Sequence, residues 1–385
     1  MNQTRVNRIA LLGGLIGVLS VALLPLLILK PNRLLTGKGV SALGFGLEGW
    51  VLLALFVLAT ALSVLPVKPR GLLLALLGNG LLILSSLVVG SHATTLTTGN
   101  ALARVSPDGA AWLGWLGAGL LIYGGLNAWR GGAPVLRFVL SNFGVAFIAV
   151  FIALGGWGSL SVLREYATNQ NIFWSQLLQH AILTLSALLL SSLIGLPLGA
   201  WASQQPRVAA VVIAVSSALQ TVPSVALLTL LIAPYSALAR AVPALEAIGV
   251  RGIGPAPALT ALTLYGLLPI VRGVLNGLSS VDNAALEAAR GMGMTASQSF
   301  WRVSVPLAVP LALEGLRLSA VNLVGLSALS SLVGAGGLGF FIFSGLGSGA
   351  LDLVLLGAIP TLLLALMANA GFSGLERALT PKGLR

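Results

Sequence analysis

Long, continuous apolar runs of about 20 residues alternate with short polar segments along the whole chain. A run of this length crosses a hydrocarbon core of about 30 Å as an α-helix. The runs are rich in leucine and continuously apolar, whereas the strands of membrane β-barrels alternate between apolar and polar residues. The pattern therefore predicts an all-α polytopic membrane protein with about ten transmembrane helices. The predicted spans are 9–29, 48–66, 71–90, 111–129, 138–158, 176–202, 208–233, 256–278, 307–333 and 351–372.

Composition excludes a soluble domain. Hydrophobic residues make up 57% of the 385 residues and charged residues 8%, against about 25% charged in soluble proteins. The net charge of +12 does not indicate nucleic-acid binding, because the basic residues lie between apolar runs rather than on one face. The apolar runs are therefore expected to contact membrane lipid. With no cysteine and no His, Asp or Glu cluster at ligand spacing, the sequence predicts no metal site.

The basic residues predict an orientation in the membrane. Positively charged residues are enriched in the cytoplasmic segments of membrane proteins. The predicted spans divide the basic residues of this chain into two groups on opposite sides of the membrane, and the larger group includes both ends of the chain. We therefore expect both termini to lie in the cytoplasm. The larger group is Arg5, Arg8, Lys68, Arg70, Arg130, Arg137, Arg207, Arg272, Arg290, Arg302, Arg377, Lys382 and Arg385. The group assigned to the opposite side is Lys30, Arg33, Lys38, Arg104, Arg164, Arg240 and Arg251.

The organisation of the chain changes near residue 160. Five plain spans lie before it, and longer polar connections with more intramembrane Pro, Asn and Gln follow. We predict an N-terminal five-helix membrane extension over 1–160 and a second part over 161–385 that carries the function.

A polar segment at 279–306 separates the eighth and ninth spans, and it falls on the cytoplasmic side. Asp282 can cap a helix that runs through the alanine-rich stretch to Arg290, and Gly293 follows where that helix stops. Thr295 and Gln298 have capping-box spacing, which predicts a second short helix through Trp301. The segment is therefore predicted to form a helix, a glycine turn and a helix.

Within this segment, Glu287, Ala288 and Ala289 are followed by Gly293, and Val303, Val305 and Pro306 lie ten to thirteen residues beyond the glycine. This spacing resembles the EAA loop of ABC importer permeases, with valines in place of Ile and Leu. In that family the loop binds the ATPase subunit. Small side chains suit a helix seated in a partner's groove, and a glutamate can pair with a basic residue there. The alternative is an amphipathic connector without a specific role.

The resemblance extends over residues 176–372. Segments such as LQTVPSVALLTLLIAP at 219–234 and LVGAGGLGFFIF at 332–343 resemble the permeases of osmoprotectant importers, and the N-terminal spans resemble the larger Yeh-type betaine permeases. The resemblance implies a type I ABC importer permease core that imports glycine betaine or a similar quaternary amine. It also implies a location in the bacterial inner membrane and three partners: ABC ATPase subunits, a second permease subunit and a periplasmic substrate-binding protein. No P-loop pattern occurs in the chain, so ATP is expected on the partner and no cofactor here.

The translocation pathway is expected to be lined by polar groups inside the spans, because such groups are costly in lipid and face the bundle interior. The candidates are Gln220, Thr221, Pro223, Ser224, Tyr265 and Asn322. Pro223 would supply a kink that exposes backbone carbonyls, and Tyr265 an aromatic face that suits a betaine cation. The alternatives are interhelical hydrogen bonding for the polar residues and a membrane-interface anchor for Tyr265. Glu314 and Arg317 are expected to pair on one helix face.

Other functions remain open at this point. The importer could carry another small solute, such as an amino acid. An ion-coupled secondary transporter would also have about ten spans, but such proteins keep an ionisable group at mid-membrane, and no span has one at its centre. An intramembrane enzyme would need a convergent catalytic set, which the chain does not offer.

Overall fold

The computed structural model describes residues 6–32, 35–100, 102–129, 131–247 and 249–380. The chain divides into two compact units, Met1–Thr168 and Asn169–Arg385. Five of the basic residues used to predict the orientation lie outside the described ranges, namely Arg5, Arg33, Arg130, Lys382 and Arg385.

The first unit is a bundle of apolar helices. Its helices are α1 (Arg8–Leu23), α2 (Leu47–Val64), α3 (Arg70–Thr97), α4 (Gly109–Ala128), α5 (Pro134–Ala153) and α6 (Ser161–Thr168), with a 3₁₀ turn at Ala42–Phe45. Glycines let α1 and α4 approach closely, because a Cβ on Gly13 would lie 2.6 Å from the carbonyl oxygen of Gly117. The Asp108 side chain caps α4 by accepting a hydrogen bond from the backbone N–H of Gly109 at 2.7 Å.

A three-stranded antiparallel sheet corrects the first predicted span. The strands are β1 (Pro25–Lys30), β2 (Lys38–Ser41) and β3 (Arg104–Pro107), in the order β2-β1-β3. Helix α1 ends at Leu23 because a residue before proline, here Leu24, is driven into an extended conformation. Residues 25–29 were therefore wrongly assigned to a span. Leu27 and Val105 are buried, which makes the sheet part of the apolar core of this unit.

The second unit is also helical. Its helices are α7 (Gln170–Ala202), α8 (Pro206–Thr221), α9 (Ser224–Leu230), α10 (Ile232–Ala241), α11 (Pro243–Ala247), α12 (Pro255–Ser279), α13 (Asn283–Gly291), α14 (Ala296–Ser299), α15 (Val305–Ser327), α16 (Gly339–Ser348) and α17 (Leu351–Leu379). A π-helical turn at Phe300–Ser304 joins α14 to α15, and a 3₁₀ turn at Ala328–Val333 follows α15.

Helix α12 lies at the centre of this unit, against α7 and α15. A Cβ on Gly315 of α15 would lie 2.5 Å from the carbonyl oxygen of Pro269, so this crossing requires a residue without a side chain. Serine hydroxyls connect the three helices. Ser191 of α7 donates to the carbonyl of Thr263 at 2.8 Å, and Ser319 of α15 donates to that of Gly266 at 3.0 Å. The contact thus combines close backbone packing with buried hydrogen bonds.

Among the described residues, nine helical stretches are long and apolar enough to cross a membrane. The predicted class, a predominantly helical polytopic membrane protein, is confirmed, with the small sheet as an addition. The seventh predicted span, 208–233, is interrupted, because α8 ends at Thr221 and α9 begins at Ser224. Pro223 causes this break, since it has no N–H and restricts Val222 to an extended conformation. Helices α1 and α8, at 16 residues each, are shorter than these nine candidate membrane-crossing stretches.

Candidate coupling loop and translocation cavity

Helix α13 begins and ends as its sequence predicts. The Asp282 carboxylate caps the first turn by accepting a hydrogen bond from the N–H of Ala284 at 3.0 Å. At the other end, the N–H of Met294 donates to the carbonyl of Ala289 at 3.1 Å, and that of Gly293 donates to Arg290 at 2.9 Å. This pair of bonds is a Schellman motif, which requires a left-handed residue, and Gly293 has φ +76°. The glycine of the EAA spacing is therefore needed to terminate this helix.

The second helix of the loop differs from the prediction. The capping box is present, with Thr295 Oγ1 accepting from the N–H of Gln298 at 3.3 Å and Gln298 Oε1 accepting from that of Thr295 at 2.9 Å. The helix does not stop at Trp301, however, and continues through the π-helical turn into α15. Pro306, at the start of α15, lacks the N–H that would bond the carbonyl of Arg302 in a regular α-helix, which favours a widened turn at this point.

The loop presents small, acidic and apolar groups at its surface. Glu287 and Ala288 are exposed, whereas Ala289 is buried. Val303 and Val305 are half-buried, and Pro306 is exposed. Among the described residues Glu287 forms no ion pair. Met292 and Trp301, two large apolar residues of this polar segment, are 70% and 66% exposed.

The second candidate region is built around a proline in α12. Pro269 has no N–H, so the carbonyl of Tyr265, four residues earlier, has no partner within the helix. The side chain of Gln220 supplies one, with its Nε2 donating to that carbonyl at 3.0 Å. The Tyr265 hydroxyl in turn donates to the carbonyl of Val222 at 2.5 Å, at the break between α8 and α9. These two bonds fix the end of α8 against the middle of α12.

Two cavities adjoin this contact. The first, of about 410 Å³, and the second, of about 450 Å³, share Gln220 and Asn322 as lining residues. Tyr265 lines the second cavity. The structure thus brings three of the predicted pathway residues together.

The other three candidates, Thr221, Pro223 and Ser224, line neither cavity. The Thr221 hydroxyl instead donates to the carbonyl of Ala218 in its own helix at 2.7 Å. Pro223 and Ser224 form the junction between α8 and α9.

The first cavity is also lined by three polar or charged residues that were not predicted to line the pathway, Arg272, Asn276 and Glu314. In α12, all of which the structure describes, the exposed residues are Pro255, Arg272, Asn276 and Ser279. For Arg272 and Asn276 the signal in the sequence is their spacing of four residues in a mostly apolar helix, which places both side chains on one face.

Glu314 belongs to a small ion-pair network on α15. The predicted pair with Arg317 is confirmed, with an N–O distance of 3.3 Å. Arg317 also lies 3.8 Å from the Glu376 carboxylate and donates to the Ser373 hydroxyl at 3.1 Å, both on α17. One guanidinium is therefore shared by two carboxylates.

Comparisons with known proteins identify a family for each part of the chain. Residues 193–382 match the family of binding-protein-dependent transport system inner membrane components. Residues 5–163 match the N-terminal domain of the ABC transporter permease YehY. The resemblance of the N-terminal spans to Yeh-type permeases is therefore confirmed.

Three relatives are similar to the second part of the chain. The carnitine transport permease protein OpuCB of Listeria monocytogenes is 42% identical over 58% of this chain and 96% of its own length. The glycine betaine/carnitine/choline transport system permease protein OpuCB of Bacillus subtilis is 34% identical over 54% and 88%. The osmoprotectant import permease protein OsmW of Salmonella typhimurium is 35% identical over 59% and 100%. The chain therefore belongs to the family of permeases of binding-protein-dependent ABC importers.

Proposed function

We propose that this chain is the membrane permease of an ATP-driven importer that carries glycine betaine or a similar quaternary amine into the cytoplasm. The observation that carries the proposal is the capped helix α13, which presents Glu287 and Ala288 on its surface at the EAA spacing. The relatives named for carnitine, choline and glycine betaine support the substrate class.

Energy would come from a partner subunit. The chain has no P-loop sequence, so ATP binding and hydrolysis are assigned to an ABC ATPase beneath the loop, and no cofactor is assigned to the permease. The exposed Met292 and Trp301 side chains would be covered in that contact, and Glu287 would pair with a basic residue of the ATPase.

Movement of the loop would reach the pathway through α15. Because the loop's second helix continues into α15 without interruption, a displacement of the loop by the ATPase moves α15 with it. Helix α15 carries Asn322 and Glu314, which line the first cavity. A rigid-body shift of α15 against α12 would thus open or close the cavity, in a transition between two packings.

The membrane orientation proposed is the one that the basic residues favour, with the loop and both termini in the cytoplasm of a bacterial inner membrane. Two termini on one side require an even number of crossings. We assign ten, with the short helix α1 as the first and α8 and α9 together as one broken crossing. The other assembly partners would be a second permease subunit, related by two-fold or pseudo-two-fold symmetry, and a periplasmic substrate-binding protein.

Reconstituted uptake tests the proposal. The permease, its ATPase and its binding protein in liposomes should accumulate radiolabelled glycine betaine when ATP is present inside, without any ion gradient. Uptake that needs a proton or sodium gradient and continues without ATP would contradict it. An ATPase variant that binds but does not hydrolyse ATP serves as the matched control.

A further inference from the structure

The first cavity carries one positive and one negative side chain from facing helices. Arg272 of α12 and Glu314 of α15 both line it, together with the amides of Gln220, Asn276 and Asn322. Arg272 and Glu314 are exposed and lie toward the loop ends of α12 and α15, within the predicted spans, where charged residues usually mark a ligand or ion pathway. The cavity volume of about 410 Å³ lies within the range of about 300–1,000 Å³ found for small-molecule sites.

The guanidinium of Arg272 is available to a ligand. It donates to the Ser217 hydroxyl at 3.2 Å, which leaves further N–H donors, and among the described residues it forms no ion pair. A guanidinium presents paired N–H groups whose geometry matches a carboxylate. Arg272 can therefore hold a carboxylate in the cavity.

Glu314 retains negative charge for a ligand although it pairs with Arg317. That guanidinium is shared with Glu376, so the three groups together carry a formal charge of −1. Leu311 and Leu318, on the same face of α15, line the cavity on either side of Glu314. A quaternary ammonium has no N–H to donate, so it is recognised by charge and by apolar contact, and this surface provides both.

We propose that this cavity binds a zwitterion, with Arg272 holding its carboxylate and Glu314 facing its quaternary ammonium. The inference rests on the proposed function and makes it more specific, because it distinguishes zwitterions such as glycine betaine and carnitine from choline, which has no carboxylate. Arg272 lies about 10 Å of helix before the end of α12 at Ser279, so the site is near the loop end of this helix.

Protection of a single thiol tests the inference. The chain contains no cysteine, so Asn276→Cys in the purified importer complex gives one reporter in the cavity. Glycine betaine should slow alkylation of this cysteine, whereas choline should do so much less. In the added background of Arg272→Gln, the betaine concentration for half-protection should rise about tenfold or more, as expected when a charged hydrogen bond is lost. Glu314→Gln should also weaken protection by betaine.

Controls separate binding from folding. Protection is expressed as the ratio of alkylation rates with and without betaine in each background, because Arg272→Gln also changes the thiolate fraction of the neighbouring cysteine. Thermal unfolding of the complex should be the same with and without Arg272→Gln, which shows that the fold is intact, and Arg272→Lys should retain part of the protection. Arg240→Gln, in α10 and outside the cavity lining, should leave protection unchanged. Equal protection by betaine and choline, equal protection with and without Arg272→Gln, or none in the reporter protein, would overturn the inference. Failure of ATP-driven betaine uptake by the reconstituted wild type would instead contradict the proposed function.

Discussion

The hydrogen bond between the Gln220 side chain and the Tyr265 carbonyl makes a contribution to the free energy of unfolding that can be measured by mutation. Gln220→Leu leaves that carbonyl without the donor it has in the structure, because Pro269 offers none. A hydrogen bond of this kind contributes about 0.5–1.5 kcal/mol to the free energy of unfolding, also between membrane helices. For a domain the size of the second unit, each kcal/mol corresponds to a shift of about 2–4 °C in Tm. We expect Gln220→Leu to lower Tm by about 1–6 °C.

The reasoning is tested by restoring the backbone donor. Pro269→Ala supplies an N–H that can bond the Tyr265 carbonyl within α12. Gln220→Leu should then have a smaller effect in the Pro269→Ala background than in the wild type. The assay is thermal unfolding of all four proteins in detergent, analysed as a double-mutant cycle. Thr221→Val, next to Gln220 but bonded within its own helix, is the matched control and should shift Tm little. The same loss of Tm in both backgrounds would refute the argument.

Two further predictions concern glycines. Gly315→Val should destabilise the second unit by several kcal/mol and reduce the folded yield, because its Cβ would lie 2.5 Å from the Pro269 carbonyl oxygen. The control Gly371→Val, whose Cβ meets open space, should be well tolerated, and equal folded yields of the two variants by size-exclusion chromatography would contradict this. Gly293→Ala should strain the left-handed end of α13 by about 1–2 kcal/mol and reduce uptake per ATP hydrolysed, whereas Gly291→Ala should not. Unchanged uptake per ATP hydrolysed in Gly293→Ala would show that this helix end is not needed for transport.

Local signals predicted the helix ends in the segment 282–306 well. Asp282 as a cap, the Thr295 and Gln298 capping box and the glycine stop at Gly293 depend on residues at most a few positions apart, so the sequence contains all the information they need. The continuation of the second helix into α15 was missed, because Pro306 is usually a helix boundary and here adjoins a π-helical turn instead.

Long-range contacts could not be predicted in this way. Residues 25–30 have the composition of a membrane span, and they form a strand because they pair with 38–41 and 104–107, the latter more than 70 residues away. The cavity presents the same limit. Gln220 and Asn322 could be selected as polar groups inside spans, but the facing of Arg272 and Glu314 depends on how α12 packs against α15.

The central claim is that α13 transmits force from an ATPase subunit. A photoreactive crosslinker on Ala288→Cys, in an otherwise cysteine-free chain, tests it within the assembled importer. The control is Ser348→Cys, which is also exposed, at the end of α16, and is assigned to the opposite side of the membrane. We predict that residue 288 crosslinks to the ATPase, while residue 348 does not. Crosslinking of residue 288 to no ATPase subunit, or its modification in intact cells by a membrane-impermeant thiol reagent added outside, would contradict the account.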